Sequence, residues 1–298
     1  MNRKSERYDI LIFGNYTKDT IISASGTRHV DGGGFNYGAH AAVALGLRVA
    51  AVTQLAKEDF HVVRNLERAG VDVYAKATAT STRLKLEYPT SNVDDRILTS
   101  TAFAGSYSLD QFAGLEAQAI LINGSVREEV PLEVVRGLSA RDAFLVADVQ
   151  GFVRVIAPDG QWVNEEWPEM EQVLSMLDVL KTDAVEAAFL TGETDIQKAA
   201  RALAEFGPKE IVLTHRNGIL VYAEGRFHEA SFYPKELVGR SGRGDTCIAS
   251  YMAKRLTLPA GEAIIWSAAV TSLKMEAEGP YMGDEAAVRS LIDSRYRA

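Results

Sequence analysis

A series of short apolar runs, separated by segments with helical patterning, constrains the fold of this chain more than any other feature. The runs comprise residues 8–14, 119–123, 143–148, 178–181 and 210–214. Runs of this length are typical of strands that are buried on both faces, and their alternation with helices places the strands side by side and parallel. The sequence therefore predicts an α/β fold: a doubly wound, mostly parallel sheet flanked by helices.

One segment has a different pattern. Residues 82–88 alternate between polar and apolar side chains, residues 91–95 are rich in turn formers, and residues 96–101 return in an extended pattern. This order predicts a β-hairpin, and two-sided alternation does not suit a buried parallel sheet. We therefore expect the hairpin to form a small separate sheet with strands near residues 20–23 and 27–30.

A glycine-rich loop near residue 242 carries the clearest chemical signal. Gly242 and Gly244 allow a tight turn whose N–H groups converge, and a helix that begins near Asp245 would add the positive end of its dipole. Such a loop suits an anion such as a transferring phosphoryl group, and Asp245 beside it could accept the proton of an attacking hydroxyl. The alternative is a glycine loop in which Asp245 only caps the helix.

Composition and charge argue against several classes of protein. The 298 residues carry a net charge of −8 with a pI near 5.3, which disfavours a broad nucleic-acid surface. The one cysteine, Cys247, and an N-terminal segment without the apolar run of a signal peptide predict a cytoplasmic protein with Cys247 in its core. No apolar stretch approaches the roughly 20 residues that span a bilayer, so no membrane contact is expected.

Other nucleotide and metal motifs fit the chain poorly. Gly32 and Gly34 do not make a dinucleotide-binding turn, because Tyr37 occupies the place of the third glycine in Gly-x-Gly-x-x-Gly. The chain has no Walker A lysine motif either. The five histidines are scattered without metal-ligand spacing, so none is assigned to a metal.

Several motifs together resemble the ribokinase-like, or PfkB, family of carbohydrate and nucleoside kinases. The similarity runs over nearly the whole chain, and the motifs occur in the family's order. The matching residues are Gly32-Gly33 before an alanine-rich helix, Asp183 and Glu186 for the family's Asn-x-x-Glu, residues 214–218 for its Thr-x-Gly-x-x-Gly, and Gly242, Gly244 and Asp245 for its Asp-Thr-x-Gly-Ala-Gly-Asp.

The resemblance implies a fold and an activity. It implies a kinase that uses ATP and Mg²⁺ to transfer the γ-phosphate to a hydroxyl of a small sugar, polyol or nucleoside. It also implies one ribokinase-like domain over residues 1–298, with a discontinuous β lid from about residues 17–31 and 82–103. The lid hairpin has one face for substrate and one that must be covered, so we expect a homodimer formed through the lid.

The resemblance also assigns roles to individual residues. Asp245 is the expected general base, and the expected anion hole is Gly242, Arg243 and Gly244. The expected substrate-binding residues are Thr17, Asp19, Gly32, Gly33 and Tyr37. The expected nucleotide-binding residues are Asp183, Glu186, Thr214, Arg216 and Gly218, with Glu186 orienting Mg²⁺ through water and Arg154 contacting the phosphates. Plainer alternatives are a turn for Asp19, a helix-start pair for Asp183 and Glu186, and a solvated side chain for Arg154.

Two departures from the family pattern leave the activity open. Gly239 replaces an aspartate that in many members helps to hold a monovalent cation, so activation by potassium is in doubt. Arg243 replaces an alanine, and it either crowds the anion hole or contacts the phosphate. The alternative function is therefore a kinase-fold protein that binds a sugar or nucleotide but transfers phosphate weakly or not at all.

Overall fold

The structure, a computed structural model, describes residues 7–24, 26–89 and 97–297. The strands are β1 (Tyr8–Phe13), β2 (Thr17–Ser23), β3 (Gly26–Gly32), β4 (Val49–Ala56), β5 (Asp72–Thr78), β6 (Thr82–Glu87), β7 (Ile97–Ala102), β8 (Ala117–Ile122), β9 (Phe144–Asp148), β10 (Arg154–Ile156), β11 (Trp162–Asn164), β12 (Val179–Asp183), β13 (Glu210–His215), β14 (Gly218–Ala223) and β15 (Arg226–Ser231). The helices are α1 (Gly34–Ala44), α2 (His61–Arg68), α3 (Leu132–Ser139), α4 (Gln150–Val153), α5 (Met170–Leu174), α6 (Ala184–Thr191), α7 (Ile196–Ala204), α8 (Arg243–Arg255), α9 (Ala260–Met275) and α10 (Glu285–Arg295).

The larger sheet has nine described strands, in the order β15-β14-β13-β12-β9-β8-β1-β4-β5. Neighbouring strands from β13 to β5 are parallel, whereas β14 and β15 extend the sheet as an antiparallel pair. The predicted doubly wound sheet is therefore confirmed, and the five apolar runs form β1, β8, β9, β12 and β13. The sequence did not single out β5, because this edge strand exposes Asp72, Tyr74 and Lys76 and lacks a continuous apolar run.

Helices cover both faces of the larger sheet. On one face α1 and α8 bury Ala39 and Ile248, and on the other face α3 and α7 bury Val134 and Leu203. Burial on both faces explains why the strand sequences are continuous apolar runs. Cys247 is buried in α8, as expected. None of the described helices has both the length and the apolar character that a membrane span requires.

The smaller sheet, which we call the lid, has the described order β3-β2-β6-β7. β2 pairs with β3 and β6 pairs with β7 in antiparallel fashion, and β2 and β6 are parallel. The predicted separate sheet is therefore confirmed, whereas the predicted turn at residues 91–95 lies outside the described residues. A small apolar cluster of Ile21, Leu84 and Leu86 is buried on one side of the lid.

A short hairpin, β10–β11, links the body of the molecule to the lid. Its two strands pair antiparallel. The Gly160 carbonyl in its turn accepts a hydrogen bond from the Ser100 amide of β7 at 2.8 Å, and Thr99 and Gln161 form an isolated bridge. The hairpin thus continues the lid beyond β7. It was not predicted, because strands of three residues are too short to show an alternating pattern.

Candidate active site

A cleft of about 700 Å³ lies between the lid and the carboxyl ends of the parallel strands. Most residues expected from the sequence line it: Thr17, Asp19, Gly33, Tyr37, Arg154, Asp183, Glu186, Thr214, Arg216, Gly242, Arg243, Gly244 and Asp245. A second groove of about 910 Å³, lined by residues that include Glu166 and Phe189, contains none of them. The structure therefore brings residues from distant parts of the chain to one place, where open α/β sheets bind their ligands.

Gly32 and Gly218 lie outside the cleft lining. Gly32 pairs with Thr17 between β3 and β2, and a Cβ at Gly32 would come within 2.4 Å of Thr17 Oγ1 and Asp19 Oδ2. Gly32 therefore supports two lining residues without touching the cleft itself. Gly218 is buried at the start of β14, where a Cβ would come within 2.3 Å of the Ala230 carbonyl oxygen. Gly218 thus serves the pairing of β14 with β15, and its expected contact with a nucleotide stays a prediction.

The anion loop, residues 239–242, leads directly into α8. Gly242 has a φ of 76°, which glycine adopts readily, and a Cβ there would come within 2.1 Å of the Tyr37 ring. The Arg243 amide already donates to the Arg240 carbonyl at 3.2 Å. The next two amides belong to the first turn of α8, where a helix offers no internal acceptor. These amides and the helix dipole form an end of α8 that favours an anion.

Asp245 lies in this first turn and lines the cleft. Its Oδ1 accepts a hydrogen bond from Gln150 Nε2 at 3.2 Å. Burial raises the pKa of Asp245 above its ordinary value, and the positive charges of Lys181 and Arg154 oppose that rise. A carboxylate with a raised pKa is a stronger proton acceptor, and the two cations favour its ionised form. The arrangement suits a general base.

Gln150 and Arg154 connect Asp245 to a buried carboxylate. Arg154 Nη1 donates to Gln150 Oε1 at 2.9 Å, and Arg154 Nη2 donates to Glu186 Oε1 at 2.9 Å. The side chains of Arg154 and Glu186 are only 16% and 3% exposed. The solvated alternative therefore does not describe Arg154, which is held on both sides within the cleft wall.

A buried ion pair joins the end of β9 to the middle of β12. Asp148 and Lys181 are register partners in these adjacent strands, and Lys181 Nζ lies 2.9 Å from Asp148 Oδ2. Burial alone would lower the pKa of Lys181, but Asp148 and other nearby carboxylates raise it overall. A Cβ at Gly244 would come within 2.6 Å of Lys181 Nζ. The absence of a side chain at Gly244 thus lets the ammonium lie under the N-terminus of α8.

Asp183 and Glu186 form a capping box at the start of α6. Asp183 Oδ1 accepts from the amides of Val185 and Glu186 at 2.9 and 2.8 Å, and Glu186 Oε2 accepts from the Asp183 amide at 2.9 Å. This is the helix-start pair of the plainer alternative. Each Glu186 oxygen already accepts a hydrogen bond, from Arg154 or from the Asp183 amide, so the pair suits a hydrated Mg²⁺ held mainly by phosphate oxygens.

Asp19 offers a vacant acceptor on the lid side of the cleft. The residue lies within β2, not in a turn; it is 6% exposed, and its Oδ1 has no hydrogen-bond partner among the described residues. Burial raises the pKa of Asp19 to about 7, with a further rise from the charges of Asp245 and Asp31, while a hydrogen bond with Thr17 opposes the shift. A buried carboxyl group with an unused acceptor is suited to a ligand hydroxyl.

The rest of the lid side is aromatic and aliphatic. Leu84, Leu86, Leu98 and Trp162 line the cleft, and Trp162 Nε1 is buried without a partner among the described atoms. Tyr37, expected to bind substrate, is 2% exposed and packs under the anion loop. The lid side thus combines an apolar wall with a few unpaired polar atoms, which is typical of a site for a small organic ligand.

The opposite side of the cleft carries arginines. Thr214 lies at the carboxyl end of β13, and Arg216 follows in the tight turn to β14. Arg216, Arg240 and Arg243 all line the cleft near the first turn of α8. This side of the cleft is therefore lined by three positively charged residues.

Several residues of the site were assigned no role from the sequence, among them Asp148, Gln150, Trp162 and Lys181. Asp148 and Lys181 each end an apolar run in the sequence. Residues of opposite charge at the ends of two neighbouring strands could have indicated an ion pair at the edge of the sheet. Gln150 gave no signal, because its contact with Asp245 depends on how α4 is placed. Trp162 gave no signal either, because its contact with the cleft depends on the β10–β11 hairpin.

Comparison with known proteins identifies the family. Residues 10–286 match the family described as pfkB family carbohydrate kinase. A solved pyrophosphate-dependent kinase in the ribokinase family, complexed with a pyrophosphate analog and myo-inositol, is 31% identical with a TM-score of 0.87, and the match covers 94% of this chain and 99% of that one. The predicted resemblance to ribokinase-like kinases is confirmed.

Two further relatives are more distant or shorter matches. Ribokinase of Arabidopsis thaliana, solved with ribose and ATP, is 18% identical with a TM-score of 0.77, and the match covers 96% of this chain and 99% of that one. At that identity the likeness concerns the fold alone. The cytidine kinase of Thermococcus kodakarensis is 32% identical over 88 residues, which cover 28% of this chain and 31% of that enzyme.

Proposed function

The chain belongs to the pfkB family of carbohydrate kinases, and we propose that it transfers a phosphoryl group from inorganic pyrophosphate to one hydroxyl of a small cyclic polyol. The observation that carries the donor is the cluster of Arg216, Arg240 and Arg243 along the cleft. Guanidinium groups bind phosphate oxygens through charge-assisted hydrogen bonds, and a protein of net charge −8 needs local cations to attract such an anion. The 31% identical relative bound to a pyrophosphate analog supports the same donor.

The proposed reaction assigns one task to each part of the site. Asp245 accepts the proton of the acceptor hydroxyl, whose oxygen forms a bond to phosphorus while the bridging P–O bond breaks and orthophosphate leaves. The amides at the start of α8 stabilise charge on the transferring group. Asp183 and Glu186 would hold Mg²⁺ through water, and the ion would supply positive charge to the bound donor.

The proposed acceptor follows from the lid side. Asp19 Oδ1 is unpaired and buried, and Thr17 lies beside it, so both suit a hydroxyl group. Leu84, Leu86 and Trp162 suit the C–H face of a ring. A cyclic polyol has hydroxyl groups around its edge and C–H groups on its faces. The relative solved with myo-inositol supports this acceptor class.

One observation keeps ATP, the donor expected from the sequence, as a second candidate. Val185 is 71% exposed and lines the cleft beside Ala184. These two side chains offer an apolar surface on which a purine could pack. The assay of the donor therefore has to include both compounds.

The deciding experiment pairs each donor with each acceptor class. Purified protein with Mg²⁺ is incubated with pyrophosphate or ATP and with inositols, pentoses, hexoses or nucleosides, and products are identified by phosphorus NMR and mass spectrometry. We expect a phosphorylated inositol and one orthophosphate per turnover with pyrophosphate. Turnover with ATP alone would refute the donor assignment, and no phosphorylated product with any pair would favour the alternative of a binding protein.

The remaining expectations concern assembly and location. We propose one domain over residues 1–298 that forms a homodimer through the lid. The Gly160 carbonyl already bonds β7, so β3 is the described lid strand whose outer edge is left for a partner. A strictly monomeric mass at micromolar concentration would contradict the dimer. The single, buried Cys247 supports a cytoplasmic location.

A further inference from the structure

Lys274 is a buried lysine at the end of α9, outside the set of residues expected from the sequence. The residue is 1% exposed. Its Nζ donates to the Gly239 carbonyl oxygen at 2.9 Å and lies 5.3 Å from the centroid of the Tyr37 ring. A buried ammonium is costly unless it is paired, and these two partners belong to the anion loop and to the ring beneath it.

The start of the anion loop is clamped to α9 on several sides. The amides of Val238 and Gly239 both donate to the Met275 carbonyl, at 2.9 and 3.0 Å. A Cβ at Gly239 would come within 2.3 Å of the Ala277 carbonyl oxygen. The hydrogen bond from Lys274 completes this clamp with a charged donor. Gly239 is therefore held through its amide, its carbonyl and its close approach to the chain after α9.

The far end of the loop is tied to the same lysine through Tyr37. The Tyr37 ring lies near both the Lys274 ammonium and Gly242. Gly242 approaches the ring so closely that there is no room for a Cβ. A change at Lys274 would therefore reach residue 239 directly and residue 242 through the ring. Both residues flank the segment that leads into α8.

We propose that Lys274 is a positioning residue for the phosphate-bearing donor. The Lys274 ammonium holds residues 239–242 in their anion-binding shape and supplies a fixed positive charge beside them. The inference rests on the proposed function in one respect, that the ligand of the loop is a phosphate-bearing anion. The inference also bears on the monovalent cation left open at Gly239. An internal ammonium bound to the Gly239 carbonyl would take the place of that added cation.

The charged and titratable groups that face Lys274 from the described elements are Tyr37 on α1, Asp245 on α8 and Glu278 after α9. Burial lowers the pKa of Lys274 to about 8, while Glu278 and Asp245 act to raise it. Glu278 also pairs with Arg28 of the lid, at 3.0 Å between Oε1 and Nη2. The ammonium therefore loses its proton as the pH rises through about 8, and the positioning effect should be lost over the same interval.

The test is donor binding in the absence of an acceptor. Affinity for pyrophosphate with Mg²⁺ is measured by calorimetry for the full chain, for Lys274→Met and for Lys274→Arg. The matched control is Lys254→Met, since Lys254 is also a largely buried lysine, 13% exposed, whose Nζ lies 2.8 Å from Glu285. We expect Lys274→Met to bind about 10–100-fold more weakly, as for the loss of a hydrogen bond from a charged group, and the control to bind as the parent does.

The pH profile separates positioning from mere packing. Parental affinity should fall between about pH 7 and about pH 9.5, and the Lys274→Arg variant should keep its affinity over this range because guanidinium stays charged. Lys274→Met should show no such fall, and potassium should restore part of its affinity while leaving the parent unchanged. Binding by Lys274→Met that equals the parent's, or a pH-dependent fall that persists in that variant, would overturn the inference.

The outcomes also distinguish this inference from the proposed function. A parent that binds pyrophosphate through Lys274 but phosphorylates no acceptor would refute the proposed function and support the inference. The same series with ATP covers the case of a nucleotide donor, and a parent that binds neither compound overturns the inference. If Lys274→Met fails to fold, the parent and Lys274→Arg decide it, because a flat parental profile over this pH range contradicts a role for the ammonium.

Discussion

The two sides of the cleft belong to sheets that differ greatly in size and in the extent of their buried core. The donor side stands on the ends of β9, β12 and β13, in the middle of a nine-stranded sheet that is covered by helices on both faces, and it contains the buried pair Asp148–Lys181. The lid side stands on four strands whose buried apolar cluster is Ile21, Leu84 and Leu86. The difference suggests a division of labour: the body fixes the geometry of the chemical step, and the lid selects the acceptor. Changes on the donor side should then alter kcat and stability, and changes on the lid should alter the KM of the acceptor.

The largest expected effect is that of Asp245→Asn. Loss of the base should lower kcat by about 10²–10⁴-fold, while the fold is kept because Asn can still bond Gln150. The measurement is steady-state kinetics together with donor binding, which should be retained. The control is Asp195→Asn, at the exposed N-cap of α7, where asparagine also caps a helix. Near-parental turnover by Asp245→Asn would show that the base lies elsewhere.

Next in size is the effect of Lys181→Met on the body of the molecule. Removing one member of a buried pair leaves Asp148 with an uncompensated charge, so unfolding free energy should fall by about 3–5 kcal/mol. Adding Asp148→Asn should restore most of the stability but not the activity, because the charge beneath Gly244 is still missing. Denaturant unfolding measures both. Lys209→Met, at a pair in which the lysine is 75% exposed, is the control and should change stability by less than about 1 kcal/mol.

Asp19→Asn should separate stability from activity on the lid side. The pKa of Asp19 is about 7 in the folded chain, above its ordinary value, so the folded state binds a proton that the unfolded state releases between about pH 4 and pH 7. The parent should therefore lose stability as the pH rises through this window, on the order of 1–4 kcal/mol, and the variant should not. At pH 8 the variant should be the more stable protein.

The same variant should use the acceptor poorly. Loss of the carboxylate should lower kcat/KM for the acceptor by about 100-fold, since hydrogen bonds to charged groups are the stronger ones. Thermal unfolding at pH 5 and pH 8, with acceptor kinetics, tests both halves. An Asp19→Asn protein with parental acceptor kinetics would place the acceptor away from β2.

Arg243→Ala tests whether the arginine in the anion loop promotes or impedes use of the phosphate donor. If Arg243 contacts the donor, kcat/KM for the donor should fall by about 10–50-fold, as for a lost charge-assisted hydrogen bond. Arg201→Ala is a matched control, because the Arg201 guanidinium lies over the Phe227 ring much as that of Arg243 lies over Phe232. Equal or faster donor use by Arg243→Ala would show that the arginine crowds the site.

The smallest expected effect is that of Trp162→Phe, which keeps an aromatic ring in the acceptor wall but removes its buried N–H. If Trp162 Nε1 donates to a hydroxyl of the acceptor, the acceptor KM should rise by about 2–10-fold with kcat unchanged. The control is Trp266→Phe. Lys254 of α8 and Arg289 of α10 lie over the Trp266 ring, which is not part of the cleft lining. A fall in kcat without a change in KM would mean that the hairpin acts on the chemical step instead.

The predictable parts of the site lie where a periodic pattern begins or ends. Asp183, Thr214 and Asp245 stand at strand ends or helix starts, and those boundaries follow from local sequence. Gln150 and Lys274 act through side chains that meet partners from remote elements. Lys274 in particular occupies the last turn of an otherwise apolar helix, where a lysine is common for its interaction with the helix dipole. Local pattern therefore shows where a ligand can bind but not which side chains support the site.

The glycine-loop motif cannot distinguish pyrophosphate from ATP as the donor, and the reason is physical. In the proposed reaction Gly242, Gly244 and Asp245 face the group that is transferred, and that phosphoryl group is the same in pyrophosphate and in ATP. The part of the donor that differs would meet cleft residues on other elements, such as Arg216 and Val185, whose side chains depart from the family's motifs or lie outside the residues that define them. The small lid sheet, in contrast, followed from alternation alone, because a two-faced strand pattern is local.

The clamp between Gly239 and the end of α9 also sets the order in which a growing chain becomes competent. Translation delivers β2, with Thr17 and Asp19, more than 200 residues before it delivers residues 274–277. Domains complete their packing only when their last elements are available. A ribosome-bound fragment that ends before α9 thus lacks the contacts that hold Gly239, and we expect its anion loop to take its shape only after α9 has been made.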